Sequence, residues 1–491
     1  MLTITNVTWL DLLCLAGVTV GVYLIKQTVI KKNPAPYPPG PREWPLISNF
    51  LDMPRIKPRI TFTEWGKKYG DITHIEVLGR HIIVLNSVKT AMDMMDSKST
   101  LYSDRPVLPM AGELQRKNLH RVIGSRAAVN VYNEIEEVET RRFLKCVLVK
   151  PDRLQEHIRY TVGAVILRIS HGYEVKEKDD PFVDLANRVL TNASQALAPG
   201  AFIVDIIPFL AKVPAWFPGA GFKRIACEWR AALKEMASAP HQFVKDQMVA
   251  GIAPVSFTSN LLEGSGVSAE EDYAVKWSAL SLYAGGTDTT VSAIYSLFLA
   301  MTLSPDVQKK AQAEIDVVVG PDRLPTFADR DSLPYTDALV KEVLRWHVVS
   351  PTGLPHCVTE DDIHDGYYIP KGSLVIPNIW FMLNDPRTYA NPSQFNPERF
   401  LAKDGKEPEM EPRTACFGFV RRICPGLHLA DASIWITTAM SLAVFDISKV
   451  VEHGVEVTPD IDQLPGSTSH LKPFKCSIKP RSTTALGLIE Q

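Results

Sequence analysis

The chain has 491 residues, of which 45% are hydrophobic, and it carries 53 basic and 55 acidic side chains. At about 100 to 200 residues per domain, this length allows about two to four domains, and the hydrophobic content excludes a disordered chain. The near-neutral charge gives no global reason to bind nucleic acid, because phosphates are contacted mainly by clustered lysine and arginine. We therefore expect a large buried core and no nucleic-acid partner.

The 7 cysteines are scattered from Cys14 to Cys476 without a Cys-x-x-Cys pair. An odd number at such spacing forms neither a disulfide framework nor a recognisable zinc site. We infer that the bulk of the chain faces a reducing compartment.

An apolar segment near the N-terminus, residues 7–25, is interrupted only by Asp11. A membrane-spanning helix needs about 20 mostly apolar residues. A cleaved signal peptide or an interfacial segment is the alternative, but signal peptides carry their positive charge before the apolar stretch. Here the charge follows it, at Lys26, Lys31 and Lys32. This polarity predicts an uncleaved anchor over residues 1–30, with the N-terminus lumenal and the rest of the chain cytoplasmic.

A proline-rich stretch follows the anchor and ends at Pro41. Prolines at this density prevent a helix and favour an extended, stiff backbone, so residues 31–41 are predicted to form a hinge. No comparable shift in composition occurs later, and residues 42–491 are therefore predicted to form a single domain. On the lumenal side of the anchor, the sequon at Asn6 is a candidate glycosylation site.

Hydrophobic periodicity predicts a domain rich in helices, with small β-sheets. Two pairs of strand-like runs separated by two-residue turns predict hairpins. These hairpins span residues 72–85 and 367–376, with Gly79-Arg80 and Lys371-Gly372 at their turns. Ser304 opens a helix that Gly320 closes, and residues 335–346 form another, on which Glu342 and Arg345 share a face.

A longer helix, residues 270–302, has an unusual centre that reads Ala284-Gly-Gly-Thr-Asp-Thr-Thr290. Each interior glycine costs about 1 kcal/mol relative to alanine. Close packing against another helix, or a helix end, is one explanation. The other is that the glycines let a flat group approach the backbone, while a threonine hydroxyl and Asp288 supply proton-relay groups.

A second cluster near the C-terminus reads Phe417-Gly-Phe-Val-Arg-Arg-Ile-Cys-Pro-Gly426. Among the cysteines, Cys424 alone lies beside cationic side chains and before an apolar helical run. Positive charge and a helix N-terminus both stabilise a thiolate, the form that binds metal. A single cysteine in such a place can equally be an inert buried residue, and the residues by themselves leave both interpretations open.

Six features follow one another along the chain: the anchor, the proline-rich hinge, Gly285-Gly286-Thr287-Asp288-Thr289-Thr290, Glu342-x-x-Arg345, Pro397-Glu398-Arg399-Phe400 and Phe417–Gly426. In this order they resemble the cytochrome P450 haem-thiolate monooxygenases, and most of all the fungal microsomal members. The resemblance covers essentially the whole chain. It implies a mainly α fold with small β-sheets, in which haem b lies between the long central helix and the helix after the cysteine loop.

The resemblance also implies a role for each motif. Cys424 would be the axial thiolate ligand of the haem iron, which favours cleavage of the oxygen–oxygen bond. Asp288 and Thr289 would deliver protons, and Gly285 would open the helix for oxygen and substrate. The remaining cofactor contacts would be the cations Arg116, His356 and Arg422 at the propionates, with Phe417 and Gly426 in the loop. A lone histidine such as His356 is otherwise commonly solvated.

Glu342, Arg345 and Arg399 resemble the buried ion network that fixes the haem-binding loop in this family. The alternative is a plain salt bridge on a helix surface, which is worth a few tenths of a kcal/mol.

The sequence departs from the family pattern at two places. Val420 stands where the pattern has glycine, and a β-branched residue is unfavourable if the backbone there needs positive φ or approaches the porphyrin closely. We therefore expect weaker haem retention. Before Gln115, a stretch that usually ends in Trp-Arg is absent, and Gly112 stands in the place of the tryptophan. The absence is either a genuine shortening or an error of the gene model, and sequencing the transcript distinguishes the two.

The sequence thus predicts a single-pass protein of the endoplasmic reticulum membrane that inserts one atom of O2 into an apolar or aromatic compound, a secondary metabolite or a xenobiotic. Electrons would come from NADPH through a cytochrome reductase. Lys403, Arg413, Arg421 and Arg422 are candidates for a basic docking face, or for a merely solvated one. One alternative is a haem-thiolate dehydratase or isomerase. The other, motivated by Val420 and the absent stretch, is a catalytically impaired homologue that binds hydrophobic ligands.

Overall fold

The computed structural model describes residues 33–491, except residues 46, 55, 78, 106–113, 177–178, 197–201, 203, 205–207, 265, 403–404 and 465. The predicted anchor, the Asn6 sequon and the altered stretch at Gly112 lie outside the described residues. Contacts divide the chain into two compact units, residues 1–106 with 354–378 and residues 107–353 with 379–491. The single domain over residues 42–491 stays a prediction.

The first unit is built on a four-stranded sheet. Its strands, in the order β1-β2-β6-β3, are β1 (Ile72–Val77), β2 (Arg80–Leu85), β6 (Leu374–Pro377) and β3 (His356–Cys357). A separate two-stranded pair consists of β4 (Asp362–His364) and β5 (Tyr367–Ile369). The helices are α1 (Pro58–Tyr69), α2 (Val88–Met95) and α3 (Ser99–Tyr102).

The first predicted hairpin is confirmed. Strands β1 and β2 pair antiparallel, from Ile72 opposite Leu85 to Val77 opposite Arg80. Phe62 and Trp65 of α1 belong to the same buried apolar cluster as residues of both strands.

The second predicted hairpin is wrong. Strand β5 pairs with β4, whereas β6 pairs parallel with β2 and antiparallel with β3. The turn between β4 and β5 is Asp365-Gly366, with φ of +48° and +79°, and a two-residue hairpin turn prefers left-handed residues of this kind. Between β5 and β6, the Ser373 N–H donates to Pro370 O at 3.1 Å and Gly372 has φ of +81°. A turn of this type II kind splays its flanking strands instead of pairing them.

The described part of the proline-rich stretch, residues 33–41, contains no helix, as the prolines predict. The Tyr368 N–H donates to Pro36 O at 2.8 Å, and the His74 N–H donates to Pro39 O at 3.1 Å. The stretch is therefore hydrogen bonded to strand residues of the first unit and is not a freely moving spacer there. Its role as a hinge stays a prediction.

The second unit is mainly helical. Its longer helices are α4 (Leu114–Ile123), α6 (Asn133–Val149), α7 (Leu154–His171), α8 (Pro181–Ala196), α9 (Gly221–Val249), α11 (Ala269–Leu303), α12 (Pro305–Val318), α13 (Pro334–Trp346), α16 (Leu427–Val444) and α17 (Thr483–Glu490). Short helices are α5 (Arg126–Val129), α10 (Phe257–Leu262), α14 (Ile379–Leu383) and α15 (Arg413–Cys416). Single 3-10 segments are Asn130–Tyr132, Pro151–Arg153, Pro208–Lys212, Phe327–Ser332, Pro397–Phe400 and Val420–Arg422.

Two small strand pairs complete this unit, and in both the strands run antiparallel. They are β7 (Phe445–Ser448) with β10 (Ser477–Pro480), and β8 (Val450–Glu452) with β9 (Val455–Val457). Helices α11, α12 and α13 confirm the sequence predictions for residues 270–302, 304–320 and 335–346. The described residues are thus mainly α-helical with small β-sheets, as predicted.

The core of the second unit forms around α11, which packs against α4, α7, α9 and α16. Helix α11 begins with a capping box, because Ser268 Oγ accepts from the Glu271 N–H and Glu271 Oε2 accepts from the Ser268 N–H. Further along, the helix is apolar on all sides, and such a helix is buried in a core. The Phe298 ring, for example, meets the edge of Phe143 of α6 at 6.0 Å between centroids.

Among the described residues, α16 is the one helix that is by itself long and apolar enough to cross a membrane; α11 and α12 pass the same test together but are bent by 106° at the break between them. However, 78% of the apolar window of α16 is buried inside the protein, where it belongs to the same apolar core as α11. Its apolar composition is therefore that of a core helix.

Two buried carboxyl groups on α6 have opposite environments. Glu139 accepts hydrogen bonds from Arg142 at 3.1 Å and Arg168 at 2.8 Å. Glu136, one turn earlier, is 1% exposed and accepts a hydrogen bond from the neutral hydroxyl of Ser433 at 2.7 Å. Burial raises the pKa of Glu136 to about 8, although the Ser433 hydrogen bond acts to lower it.

This raised pKa makes stability depend on pH. Between the ordinary pKa of 4.5 and the folded pKa of about 8, the unfolded chain binds fewer protons than the folded one. Stability therefore falls as the pH rises through this window, by about 1.4 kcal/mol per unit for a single group. We expect the melting temperature of the parent to fall relative to that of Glu136→Gln as the pH rises from about 5 to about 8. Glu134→Gln, exposed on the same helix, is the control and should follow the parent; an unchanged pH dependence in Glu136→Gln contradicts the prediction.

Candidate functional site

The cysteine loop joins α15 to α16 and leaves Cys424 accessible. Gly418 has φ of +80°, in the left-handed region that favours glycine, and its N–H donates to Ala415 O at 3.0 Å. The Cys424 N–H donates to Phe417 O at 2.8 Å and closes the loop. The Cys424 residue is exposed, so the interpretation of an inert buried cysteine does not hold. Its use as a metal ligand stays a prediction.

Gly426 is the N-cap of α16 and has φ of −90°, which any residue can adopt. A Cβ at this position would lie 3.9 Å from Cys424 Sγ and 4.0 Å from Ile123 Cδ1, both ordinary contacts. The packing of the chain itself therefore does not require glycine here. Ile123 ends α4, the helix on which Arg116 lies two turns earlier; the Arg116 side chain is outside the described structure.

Val420 and Arg422 are the first and last residues of a single 3-10 turn. Such turns have negative φ, so the backbone at Val420 does not need the positive φ that would penalise a β-branched residue. The left-handed residue of the loop is Gly418. The Arg422 N–H donates to Phe419 O at 3.0 Å. The effect of Val420 on haem retention stays a prediction.

The structure brings Glu342, Arg345 and Arg399 into one buried ion network. The Arg345 Nε lies 2.7 Å from Glu342 Oε2, and its Nη2 lies 2.8 Å from Oε1. The Arg399 Nε lies 3.1 Å from Glu342 Oε2. The Glu342 and Arg345 side chains are both 0% exposed and that of Arg399 is 2% exposed, so the alternative of a salt bridge on a helix surface is wrong.

The same arginines hold a segment that is irregular in backbone. Arg345 donates to the carbonyls of Leu383 at 3.0 Å and Gln394 at 3.3 Å. Arg399 donates to the Gln394 carbonyl at 3.2 Å and to Glu409 Oε2 at 2.5 Å. Glu409 was not identified from the sequence, because nothing in its local pattern marks it as a partner of Arg399. The network therefore ties the end of α13 to Leu383, Gln394 and Glu409, which precede the cysteine loop in the chain.

The two central glycines of α11 have different surroundings. A Cβ on Gly286 would lie 2.9 Å from Ile166 Cδ1 of α7, so close helix packing explains this glycine. A Cβ on Gly285 would have no described atom within 4 Å beyond its own stretch of helix, so this side is open. One turn later, Thr289 Oγ1 donates to Gly285 O at 2.7 Å. Close helix packing thus accounts for Gly286, while the approach of a flat group at Gly285 stays a prediction.

Asp288 lies on the same stripe of α11, three residues from Gly285. Its Oδ2 is 3.0 Å from His470 Nε2, and its Oδ1 is 3.7 Å from Arg159 Nη1. Burial acts to raise the pKa of Asp288, but the hydrogen bond and charge of His470, the charge of Arg159 and a hydrogen bond from Thr468 outweigh burial and lower it. His470 carries no motif, and the sequence analysis did not identify it.

His356 lies in the first unit, where strand β3 pairs with β6. The His356 side chain is buried, and its Nδ1 is 2.7 Å from Tyr102 O. The alternative of a solvated loop histidine is therefore wrong. Its role at a propionate stays a prediction.

The candidate basic docking face needs a correction at Arg413. The Arg413 Nη2 lies 2.6 Å from Asp431 Oδ1 and 3.8 Å from Asp337 Oδ1, in a mostly buried ion network. Its charge is thus neutralised inside the protein and cannot form part of an open basic face. Arg421 is exposed, and Lys403 lies outside the described residues.

Comparison with known proteins identifies the protein family to which this chain belongs. The model of the family described as cytochrome P450 matches residues 151–477. The chain belongs to the cytochrome P450 family.

Fungal cytochrome P450 monooxygenases are similar to this chain over almost its whole length. It is 52% identical to cytochrome P450 monooxygenase 208 of Postia placenta over 472 residues, which covers 92% of either protein. It is 46% identical to cytochrome P450 monooxygenase claR of Ampulloclitocybe clavipes, covering 96% of this chain and 91% of the relative. Cytochrome P450 monooxygenase ppsD of Aspergillus oryzae is 39% identical, covering 97% and 94%.

Membership of the cytochrome P450 family confirms the fold class, the haem b cofactor and the monooxygenase reaction predicted from the sequence. The family also implies a redox partner and hydrophobic substrates.

The residues of this P450 fit haem b. Cys424 is an exposed cysteine, and Arg422, two residues away, carries a positive charge. The open side at Gly285 leaves room for a flat group against the helix backbone. Helix α4 links the two regions, because Asn118 Nδ2 donates to Ser278 Oγ of α11 at 3.3 Å while Ile123 reaches the loop beside Gly426.

A pair of glycine variants tests this assignment of the open side. In the haem-free chain, Gly285→Ala is expected to raise the unfolding free energy by about 1 kcal/mol, because alanine favours the helix and meets no neighbour. The added methyl should nevertheless lower the haem bound per polypeptide. In Gly286→Ala the methyl meets Ile166, so the gain in helix propensity should be reduced or lost with or without haem. Full haem content in Gly285→Ala would mean that the cofactor does not use this side.

Proposed function

We propose that this chain is a membrane-anchored haem-thiolate monooxygenase in which Cys424 is the axial ligand of the haem iron. The observation that supports this most directly is the exposed Cys424 at the end of a loop closed by its own N–H bond to Phe417 O. When bound, haem supplies the binding and reduction of dioxygen, and a thiolate ligand favours cleavage of the oxygen–oxygen bond.

Arg422 and Arg116 are the proposed cationic partners of the haem propionates, since charge-assisted hydrogen bonds to carboxylates are strong. Phe417 and Gly426 are proposed to line the cofactor on the side of the cysteine loop. Gly285 is proposed to form the opposite wall, where its missing side chain leaves the backbone accessible.

Asp288 and Thr289 are proposed to hold and pass protons. The proton of Thr289 Oγ1 is donated to Gly285 O, so the hydroxyl oxygen can accept a hydrogen bond from outside the helix. Because the pKa of Asp288 is lowered, its carboxylate is ionised at neutral pH. Each turnover must therefore bring a proton to Asp288 before the residue can give one.

Glu342, Arg345 and Arg399 are proposed to act at a distance from the chemistry. Their buried network fixes the stretch 383–409, and this stretch leads to the cysteine loop. Their role is to place the loop and not to contact the reacting atoms.

The proposed partner is an NADPH cytochrome reductase at the endoplasmic reticulum membrane. The apolar segment 7–25 followed by lysines supports a single-pass anchor with the N-terminus lumenal and the catalytic part cytoplasmic. Exposed Arg421 beside the loop supports docking of an acidic partner. The proposed substrate is an apolar or aromatic secondary metabolite or xenobiotic that arrives from the membrane.

The test is the spectrum of the purified full-length protein, reduced and bound to carbon monoxide. A thiolate-type Soret band is expected, and the absence of haem rejects the proposal. With reductase, consumption of NADPH and O2 together with product formation distinguishes monooxygenation from a dehydratase or isomerase, which needs neither. Spectral shifts with a panel of terpenoids, polyketides and polycyclic aromatics then identify the substrate class.

The second candidate function is a catalytically impaired homologue that binds hydrophobic ligands, and Val420 is the observation that favours it. The helical turn at Val420 removes the conformational objection, and closeness of this position to the porphyrin stays the proposed reason for weaker haem retention. We expect Val420→Gly to bind more haem per polypeptide than the parent. Equal haem content in the two proteins removes the reason for this candidate.

A further inference from the structure

The segment 463–471 near the C-terminus is fixed beside α11 by buried polar contacts. Ser292 Oγ donates to Ser469 O at 2.5 Å, and His347 Nε2 lies 2.8 Å from the same carbonyl oxygen. The Ser469 N–H donates to Val349 O at 2.8 Å. These bonds fix the backbone of Ser469 and so determine where the next residue, His470, can lie.

His470 lies against Asp288, and Asp288 lies one turn before Ser292 on α11. The 3.0 Å contact between His470 Nε2 and Asp288 Oδ2 joins residues 182 positions apart. Arg159, 3.7 Å from the other oxygen, is too distant for a hydrogen bond. Thr468 also donates a side-chain hydrogen bond to this carboxylate. His470 therefore makes one of the directional contacts with Asp288, while Arg159 adds charge.

The pair is neither fully buried nor freely exposed. The side chains of His470 and Asp288 are 17% and 22% exposed. Asp288 is followed in the chain by Thr289, whose hydroxyl lies over Gly285 O at the open side of α11. The partly exposed pair thus lies directly beside the residue at the open side of the helix.

We propose that His470 is a positioning residue for proton delivery in this enzyme. In the tautomer that carries its proton on Nε2, His470 donates to Asp288 Oδ2 and holds the carboxylate in place beside Thr289. This inference rests on the proposed function of Asp288 and Thr289, and it adds a residue from a different part of the chain.

The position of Asp288 is expected to determine how electrons from NADPH divide between product and hydrogen peroxide. In the coupled reaction, RH, O2, NADPH and H⁺ give ROH, H2O and NADP⁺. In the uncoupled reaction, O2, NADPH and H⁺ give H2O2 and NADP⁺. Both consume one NADPH per O2, so a misplaced Asp288 shifts electrons from product to hydrogen peroxide without stopping NADPH oxidation.

The first test is His470→Leu in the full-length protein with reductase. Product formed per NADPH should fall by about tenfold or more, as when partners one contact away from a reactive centre are removed. Hydrogen peroxide should rise to match, while the reduced carbon-monoxide spectrum stays as in the parent. Lys472→Met, which removes an exposed ion pair with Asp462 in the same segment, is the control and should keep the parental yield.

His470→Gln separates positioning from mere packing. Glutamine places an amide N–H near the position of histidine Nε2 and can donate to Asp288 Oδ2, but leucine cannot. We expect His470→Gln to recover most of the lost product yield. A glutamine variant as poor as the leucine variant overturns the proposal, as does a leucine variant with parental yield.

The contact between His470 and Asp288 can also be tested by a measurement that does not depend on turnover. The changes in unfolding midpoint caused by His470→Leu and Asp288→Asn should be non-additive in the double variant, because each removes the same bond. Additive changes overturn the proposal. If the parent lacks a thiolate-type band or forms no product, the proposed function fails, while this cycle still decides whether His470 holds Asp288.

Discussion

Replacing Cys424 by serine is expected to abolish the thiolate-type Soret band of the reduced, carbon-monoxide-bound protein and to abolish product formation. The hydroxyl of serine keeps the size and the closed loop, since the bond that closes it comes from the backbone N–H of residue 424. What is lost is the thiolate. A thiolate donates more charge to iron than an alcohol does, and a thiol is deprotonated far more easily than an alcohol. The measurement is the carbon monoxide difference spectrum at equal protein concentration.

A second cysteine in the same region makes the test specific. Cys416 ends α15, and burial raises the pKa of its thiol, so it remains protonated and is a poor metal ligand. Cys416→Ala should therefore keep the thiolate-type band and lose only some stability from the space left in the core. If Cys416→Ala loses the band and Cys424→Ser keeps it, the ligand has been assigned to the wrong cysteine.

The helices around the site could be predicted from the sequence because their signals are local. Ser268 and Glu271 form the cap at which α11 begins, and Pro305 begins the following helix. The contact between Glu342 and Arg345 follows directly from their spacing on one helix.

Contacts between distant parts of the chain could not be predicted in the same way. The strand Leu374–Pro377 has a local turn before it, but its parallel partner is β2, almost 300 positions earlier. The Asp365-Gly366 turn is the local signal that indicates the true hairpin. His470 and Glu409 carry no pattern, because a side chain placed by tertiary structure has no spacing rule with respect to its partner.

The resemblance to a known family supplied what local rules could not. It identified Arg399 as a partner of Glu342 and singled out Cys424 among seven cysteines. It gave no indication that Gly285 and Gly286 have different surroundings, since this difference depends on where Ile166 of α7 lies. Family patterns thus identify residues, and the structure shows which physical constraint each of them meets.

The ion network around Glu342 leads to the second large effect. We expect Glu342→Gln to lower the unfolding free energy by about 3 to 5 kcal/mol, the cost of leaving buried charges without their partner. Two arginines, Arg345 and Arg399, share this one carboxylate. The amide of glutamine would also direct its own N–H groups towards the N–H donors of these arginines. Since domains are stable by only about 5 to 15 kcal/mol, little folded holoprotein should accumulate.

A nearby exposed ion pair provides the matched control for this prediction. Lys310 pairs with Glu398, which lies beside Arg399 in the same 3-10 segment, and the two side chains are 58% and 32% exposed. Lys310→Met should change the unfolding free energy by less than about 1 kcal/mol, because water and salt screen such pairs. Urea unfolding and haem bound per polypeptide measure both variants. If Glu342→Gln behaves like Lys310→Met, the buried network does not hold the stretch that leads to Cys424, and the loop must be placed by the packing of α15 and α16 alone.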